Sequence, residues 1–305
     1  FVVQCEQFKT AGLIAERLAE LPNVELLWGR RVTDVEPGAD DVGVVVDGPA
    51  GEERHRGSWL VGADGGRSAV RKACGIEFEG FTWPERFLVL TTPFDFATRG
   101  YGPRSYFADP AEWCNLFKVA ANGLPGLWRT VFPAEPQLSE GEILSDEAVE
   151  ARLQRFFPAK KRYDVVHRNL YVTHQRVAER FRAGRVLLAG DAAHVNNPIG
   201  GMGLNGGLQD AANLAEKLAA VIDGADERLL DLYDRQRRTV AVEFVQEQTI
   251  ANKKRLEVKD PAARAESLGE LRRTSQDPTR ARQFLLQTSM LASQRRVASI
   301  ALDAL

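Results

Sequence analysis

Cysteine is scarce. Cys5, Cys74 and Cys114 lie far apart in a chain of 305 residues, with no CxxC spacing, which argues against a disulfide framework or zinc site and for a reducing compartment. An excess of charge of one sign is missing too: 40 Lys and Arg face 42 Asp and Glu, for a formal net charge of -2. The basic tracts DRQRR and ANKKRLE sit among glutamates in helical pattern and read as solvated helix faces, so no nucleic-acid partner is expected. No apolar run approaches the ~20 residues that cross a bilayer, and no signal-peptide pattern opens the chain, so no membrane is expected and the localisation reads as cytoplasmic. Internal repeats and low-complexity linkers are not visible. The chain opens without Met inside an apolar strand-like run, FVVQ, and the expectation is that an N-terminal segment has been lost.

The composition that remains, 44% hydrophobic and 27% charged, is that of an ordinary globular protein long enough for two domains or one with a large insertion. Residues 6–21 carry Phe8, Leu13, Ile14, Leu18 and Leu21 at helical spacing, ended by Pro22 and Asn23, and VELLWG after them reads as a short strand. Turn-punctuated strands follow up to WLVGAD, whose later counterpart is RVLLAGD. Each of these two apolar strands ends in a small-residue loop bearing an aspartate and leads into a helix, the pattern of an α/β layer that gathers ligands at the carboxyl ends of its strands.

Between them aromatics crowd the stretch from Phe81 to Phe132, with strand-like runs RFLVLTTPF, CNLFKVA and LWRTVFPA. This predicts an inserted, largely antiparallel sheet. Strands favour aromatics in any case, so density leaves open whether they line a cavity. Beyond Asn205 the pattern is helical almost to the end.

Gly201-x-Gly203-x-x-Gly206 matches GxGxxG, but a dinucleotide fingerprint follows its strand at once and here the loop intervenes. The glycines have another use: without Cβ they let backbone amides approach a flat or anionic ligand, with a helix N-terminus behind them. Asp191, at the strand tip, is placed to accept hydrogen bonds from ribose hydroxyls.

GDAAHVNNPIGGMGLNGGLQDAANLAEKL resembles the second flavin-binding motif of the FAD-dependent aromatic hydroxylases, the single-component flavoprotein monooxygenases. LVGADGGRSAVRKACGI resembles their DG motif. The two occur in the family's order with an aromatic-rich insertion between them. The resemblance implies an α/β fold: an FAD-binding, Rossmann-like domain of the glutathione-reductase type, an inserted mostly antiparallel β-sheet substrate domain and C-terminal helices. The expected boundaries are 1–80 and 177–225 for the FAD-binding domain, 81–176 for the substrate domain and 226–305 for the helices.

By motif position Asp191 would bind the FAD ribose, while Pro198, Gly200, Gly201, Met202, Gly203, Leu204 and Asn205 would pass along the isoalloxazine, where amides stabilise negative charge on the reduced ring. Asp64, Gly65 and Ser68 would lie near the pyrophosphate, Asp64 acting through water or backbone because two anions repel, and Ser68 also reads as a helix N-cap. Gln7 corresponds to a family glutamine that touches FAD, and reads equally as a surface glutamine. The resemblance gives His194 a supporting part near the flavin loop, although a lone histidine is more often structural. In VVHRNLYVTHQRVAERF, His167, Tyr171, His174 and Arg176 would alternate faces if the segment is a strand, and none is singled out as acid or base.

Two departures stand out. Many members carry consecutive prolines where this chain has Asn197-Pro198, and the first βαβ unit with its own GxGxxG is not in the chain, so tight FAD binding by the sequence as given is not expected. The implied activity is hydroxylation of a phenol or other small aromatic with O2 and NADH or NADPH, through a flavin C4a-hydroperoxide kept from water. FEGFTWPERFLVL resembles the branch acting on hydroxyphenyl-propionate. The alternatives are a reductase or halogenase of the same fold and a non-catalytic flavoprotein fragment. Family members are often dimers, which leaves a homodimer open.

Overall fold

Runs rich in Val, Phe and Leu fold as strands and the three- and four-spaced stretches as helices, in a computed structural model that describes residues 3–123 and 125–302. The chain runs through helix α1 (Gln7–Ala19), strands β1 (Arg31–Pro37), β2 (Val42–Gly48), β3 (Gly51–Gly57) and β4 (Leu60–Gly62), and the short helix α2 (Ala69–Ala73). Strands β5 (Phe78–Thr92), β6 (Arg104–Phe107), β7 (Cys114–Val119) and β8 (Leu127–Ala134) follow, then helices α3 (Glu140–Leu144) and α4 (Asp146–Phe156). Strands β9 (His167–Ala178), β10 (Arg182–Ala183), β11 (Val186–Leu188) and β12 (His194–Val195) lead into α5 (Gly203–Ile222) and α6 (Arg228–Val240). A π-helical turn (Ala241–Gln246) joins α6 to α7 (Glu247–Leu256), before α8 (Pro261–Gln276), α9 (Pro278–Thr288) and α10 (Leu291–Ser299). No helix among the described residues is long and apolar enough to cross a membrane.

Two compact units emerge. One comprises Phe1–Leu26, Thr82–Thr173 and Asn252–Glu270, the other Leu27–Phe81, His174–Ala251 and Leu271–Leu305. Sequence reading put the inserted domain at 81–176; the first unit joins Thr82–Thr173 with residues up to 26 and 252–270.

The first unit is built on neighbouring strands β9, β5, β8, β7 and β6, with β5, β8, β7 and β6 antiparallel in turn. Alternate residues point to one face, and Leu88, Leu90, Leu116 and Phe132 pack there against Ile143, Val149, Leu153 and Phe157 from α3, α4 and the turn after them. Each such side chain contributes about 1.5–3 kcal/mol when fully buried. Ser139 and Ser145 cap α3 and α4, so the helices begin where the strands' apolar face needs cover. Helix α1 forms as its periodicity predicts, but Phe8, Leu13 and Ile14 stay exposed.

The second unit holds a β1-β2-β3 meander and the small sheet β10-β11-β4. In the latter β11 runs parallel to β4, Val186 opposite Leu60 and Leu188 opposite Gly62. Val186, Leu187 and Leu188 are buried among Leu214 and Val221 of α5 and Leu230 and Tyr233 of α6.

Two sequence expectations fail. VELLWG has no strand: Leu26, Leu27 and Trp28 are exposed, and an apolar run without a ladder partner does not hold extended pairing. The helical pattern from Asp277 onward is broken at Met290, whose φ of 61° is left-handed; no glycine or proline marks the break in the sequence.

Candidate functional site

Because β4 and β11 are parallel and in register, the segments leaving them emerge on the same edge. Close packing of strand on helix explains the first glycine: a Cβ on Gly62 would stand 2.8 Å from Val70 Cγ1 and 3.0 Å from Leu188 Cδ2. The turn beyond β4 is held by Asp64, which accepts from Ser68 Oγ at 2.5 Å, Ala69 N at 2.7 Å and Val70 N at 3.1 Å. Ser68 Oγ accepts in turn from Arg71 N at 2.9 Å, the N-cap its position predicts. Asp64 is thus engaged by the start of α2. Gly65 has φ 82° and open space where a Cβ would sit.

Arg71 ties the two motif loops together. Its buried guanidinium donates to Gly66 O at 2.9 Å and Ala192 O at 2.8 Å and lies 3.7 Å over the Phe78 ring. Burial lowers its pKa, and the nearby Asp64 carboxylate opposes that shift.

Beyond β11 the chain turns sharply at Gly190, φ 62°, into a short 3-10 turn carrying Asp191. The Asp191 side chain reaches solvent, yet desolvation by its surroundings raises its pKa, with His194 acting the other way. Then β12 pairs with β9, His194 opposite Val177, and the loop continues over Pro198, whose carbonyl accepts from Gly201 N at 3.1 Å. Gly200 and Gly201 have φ 114° and 69°, conformations that a Cβ penalises by about 1–2 kcal/mol. A Cβ on Gly201 would meet nothing within 4 Å. Met202 is buried beneath the loop with Val245 and Met290. Helix α5 starts at Gly203 with no side-chain cap and no acidic residue in its first turn, leaving its N-terminal amides to whatever lies in front of them. Asn205 Nδ2 donates back to Gly201 O at 2.7 Å, and Leu204 is exposed beside it.

A buried charged cluster supports this loop from below. Asp210 accepts from Gly190 N at 3.0 Å, from His194 Nε2 at 2.7 Å and from Arg237 Nε at 2.6 Å. Facing that carboxylate, Nε2 is the donor, and Nδ1 has no hydrogen-bond partner among the described residues. Burial pushes the Asp210 carboxyl up, but His194 and Arg237 outweigh it and the group ends below its ordinary pKa. Helix and turn meet closely enough that a Cβ on Gly207 would lie 3.1 Å from Gly190 Cα.

Asp64, Gly65, Ser68, Asp191, Pro198, Gly200, Gly201, Met202, Gly203, Leu204 and Asn205 thus all belong to the second unit, on the segments that follow β4 and β11. Gln7 opens α1 in the first unit and is exposed. Of the β9 residues, His167, Tyr171 and His174 are all exposed, and partial desolvation with the neighbouring Arg176 and Arg67 lowers the pKa of His174. Sequence reading missed Arg71, Asp210 and Arg237. Asp210 had a signal: Gly206, Asp210, Leu214, Lys217 and Val221 form the buried stripe of α5, and an acid on such a stripe needs a partner.

Residues 1–248 match the family described as FAD binding domain. Para-nitrophenol 4-monooxygenase of Pseudomonas sp. (strain WBC-3) is 38% identical over 293 residues, 95% of this chain and 72% of that protein. A 3-(3-hydroxy-phenyl)propionate/3-hydroxycinnamic acid hydroxylase of Mycobacterium sp. (strain JLS) is 40% identical over 222 residues, 72% of this chain and 38% of its own length. The crystal structure of p-nitrophenol 4-monooxygenase PnpA from Pseudomonas putida DLL-E4 superimposes with a TM-score of 0.87 at 37% identity, covering 95% of this chain and 72% of that one. The chain belongs to the FAD-binding family, in its class of flavin-dependent aromatic monooxygenases. Its cofactor is FAD.

The residues present fit that cofactor. Gly65 and Gly201, both at positive φ with open space where a Cβ would sit, an uncapped helix N-terminus and an accessible carboxylate at a strand end could offer amide donors to an electron-rich ring and an acceptor to a ribose.

Proposed function

We propose that this chain hydroxylates a small phenol, with NADH or NADPH as reductant and O2 as the oxygen source. The observation that carries the reading is the pair of loops at the carboxyl ends of parallel β4 and β11, joined by Arg71. In this reading Asp191 accepts from the ribose hydroxyls, and the turn from Gly65 to Ser68 borders the pyrophosphate. Asp64 acts there indirectly, since its oxygens are engaged by α2. The backbone from Gly200 to Asn205 would hold the isoalloxazine, and the α5 N-terminus would steady negative charge on it. Bound FAD supplies oxygen activation at its C4a carbon once reduced. The protein orients the ring, excludes water and holds the aromatic substrate. Similarity to enzymes named for p-nitrophenol and for hydroxyphenyl-propionate supports a single-ring phenol as substrate class.

The purified complete protein is expected to show flavin absorbance bands and to oxidise NAD(P)H faster when a phenol is added, yielding a hydroxylated product. NAD(P)H oxidation without hydroxylated product from any of a panel of phenols would reassign it as a reductase. No flavin bands after reconstitution with FAD would remove the reading altogether.

A further inference from the structure

Where the resembling family carries consecutive prolines after its GDAAH run, this chain has Asn197-Pro198. A proline at 197 would bring neither a backbone N–H nor a side-chain donor. Here both donors are used: Asn197 N and Nδ2 donate to Gln175 Oε1 at 3.1 and 3.0 Å. Its Oδ1 accepts from Ile199 N at 3.1 Å, an Asx turn that steps over Pro198.

The partner is itself anchored. Gln175 Nε2 donates to Thr249 Oγ1 at 2.8 Å and to Gln246 O at 3.4 Å, and the Thr249 hydroxyl donates to Val245 O at 2.7 Å. Gln246 Nε2 donates to Val195 O at 3.0 Å, reaching the loop from the other side. Asn197 and Thr249 are fully buried and Gln175 is 2% exposed. Val245 and Gln246 belong to the π-helical turn, a distortion that recurs at functional sites because it turns groups out of the regular ladder. Buried polar groups satisfied to this degree add little net stability but define one geometry, since any shift strands a donor in a dry interior.

We propose that Asn197 and Gln175 are positioning residues for the flavin loop. Their hydrogen bonds hold the segment leading to Gly200 and Gly201 in one path, doing by donor and acceptor what a proline pair does by ring constraint. The inference rests on the flavin reading given above.

The test uses N197A, Q175A and the double variant in the complete FAD-loaded protein. Each single change should weaken FAD binding about tenfold, read by the fluorescence of released flavin, and the double should be no more than about threefold weaker than either single. The fraction of NAD(P)H oxidation that ends as hydrogen peroxide rather than hydroxylated product should rise in all three. T249V, which cuts the far anchor and leaves the loop's own residues intact, should move both quantities in the same direction by less. Multiplicative single effects, or lowered melting temperatures with FAD affinity and peroxide fraction unchanged, would overturn the proposal while leaving the flavin reading in place. A wild-type protein that takes no FAD overturns both.

Discussion

Asp191 and Asp210 lie on opposite sides of one loop, and their environments give them different work. Asp191 is accessible, carries a raised pKa through desolvation, and is the acceptor proposed for the ribose. D191A should weaken FAD binding by about 10- to 100-fold, the worth of one or two charge-assisted hydrogen bonds, with the melting temperature of the apoprotein unchanged; titration by flavin fluorescence checks it. Asp210 is wholly buried and structural. D210A strands Arg237 and His194 and should cost about 3–5 kcal/mol, measured by urea denaturation. Because the folded carboxyl titrates below its ordinary 3.8, its contribution is complete above that value and drains away as the pH falls through the lower folded one. D210N should therefore flatten the acid limb of the stability profile.

The glycines around α5 separate packing from ligand contact. G207A places a methyl 3.1 Å from Gly190 Cα, an overpacking cost of about 1–3 kcal/mol against a helix-propensity gain of about 1 kcal/mol, so a modest loss of thermal stability is expected. G201A meets open space but holds φ at 69°. It should lower stability by about 1–2 kcal/mol and reduce FAD affinity further than G207A does, as parallel melting and flavin titrations would show. Strands β7 and β8 were legible in CNLFKVA and LWRTVFPA because strand-favouring aromatic and β-branched residues are a local signal, and the turns after β4 and β11 were legible because their glycines mark sharp reversals of the backbone. What could not be read was long-range: nothing near Asn197 announces Gln175, and nothing near Asp210 announces Arg237. VELLWG misled because a strand needs a neighbour that periodicity does not supply. The π-helical turn is invisible for the same reason, since its sequence is ordinary helix-former and the extra residue is held by tertiary contacts.

Across the molecule, the flavin loop depends on chain that comes much later. Asp210 meets Arg237 after 27 residues and Gln175 meets Thr249 after 74. A polypeptide ended after Ile222 should retain both motif sequences yet show no flavin absorbance after reconstitution, whereas the complete protein takes up FAD. During synthesis at about 5–20 residues per second, Thr249 follows Gln175, 74 positions earlier, by roughly 4–15 s. Until that stretch has been made, Gln175 lacks its Thr249 anchor, so a nascent chain that already holds both motif sequences still lacks the hydrogen bonds that fix the loop after β11.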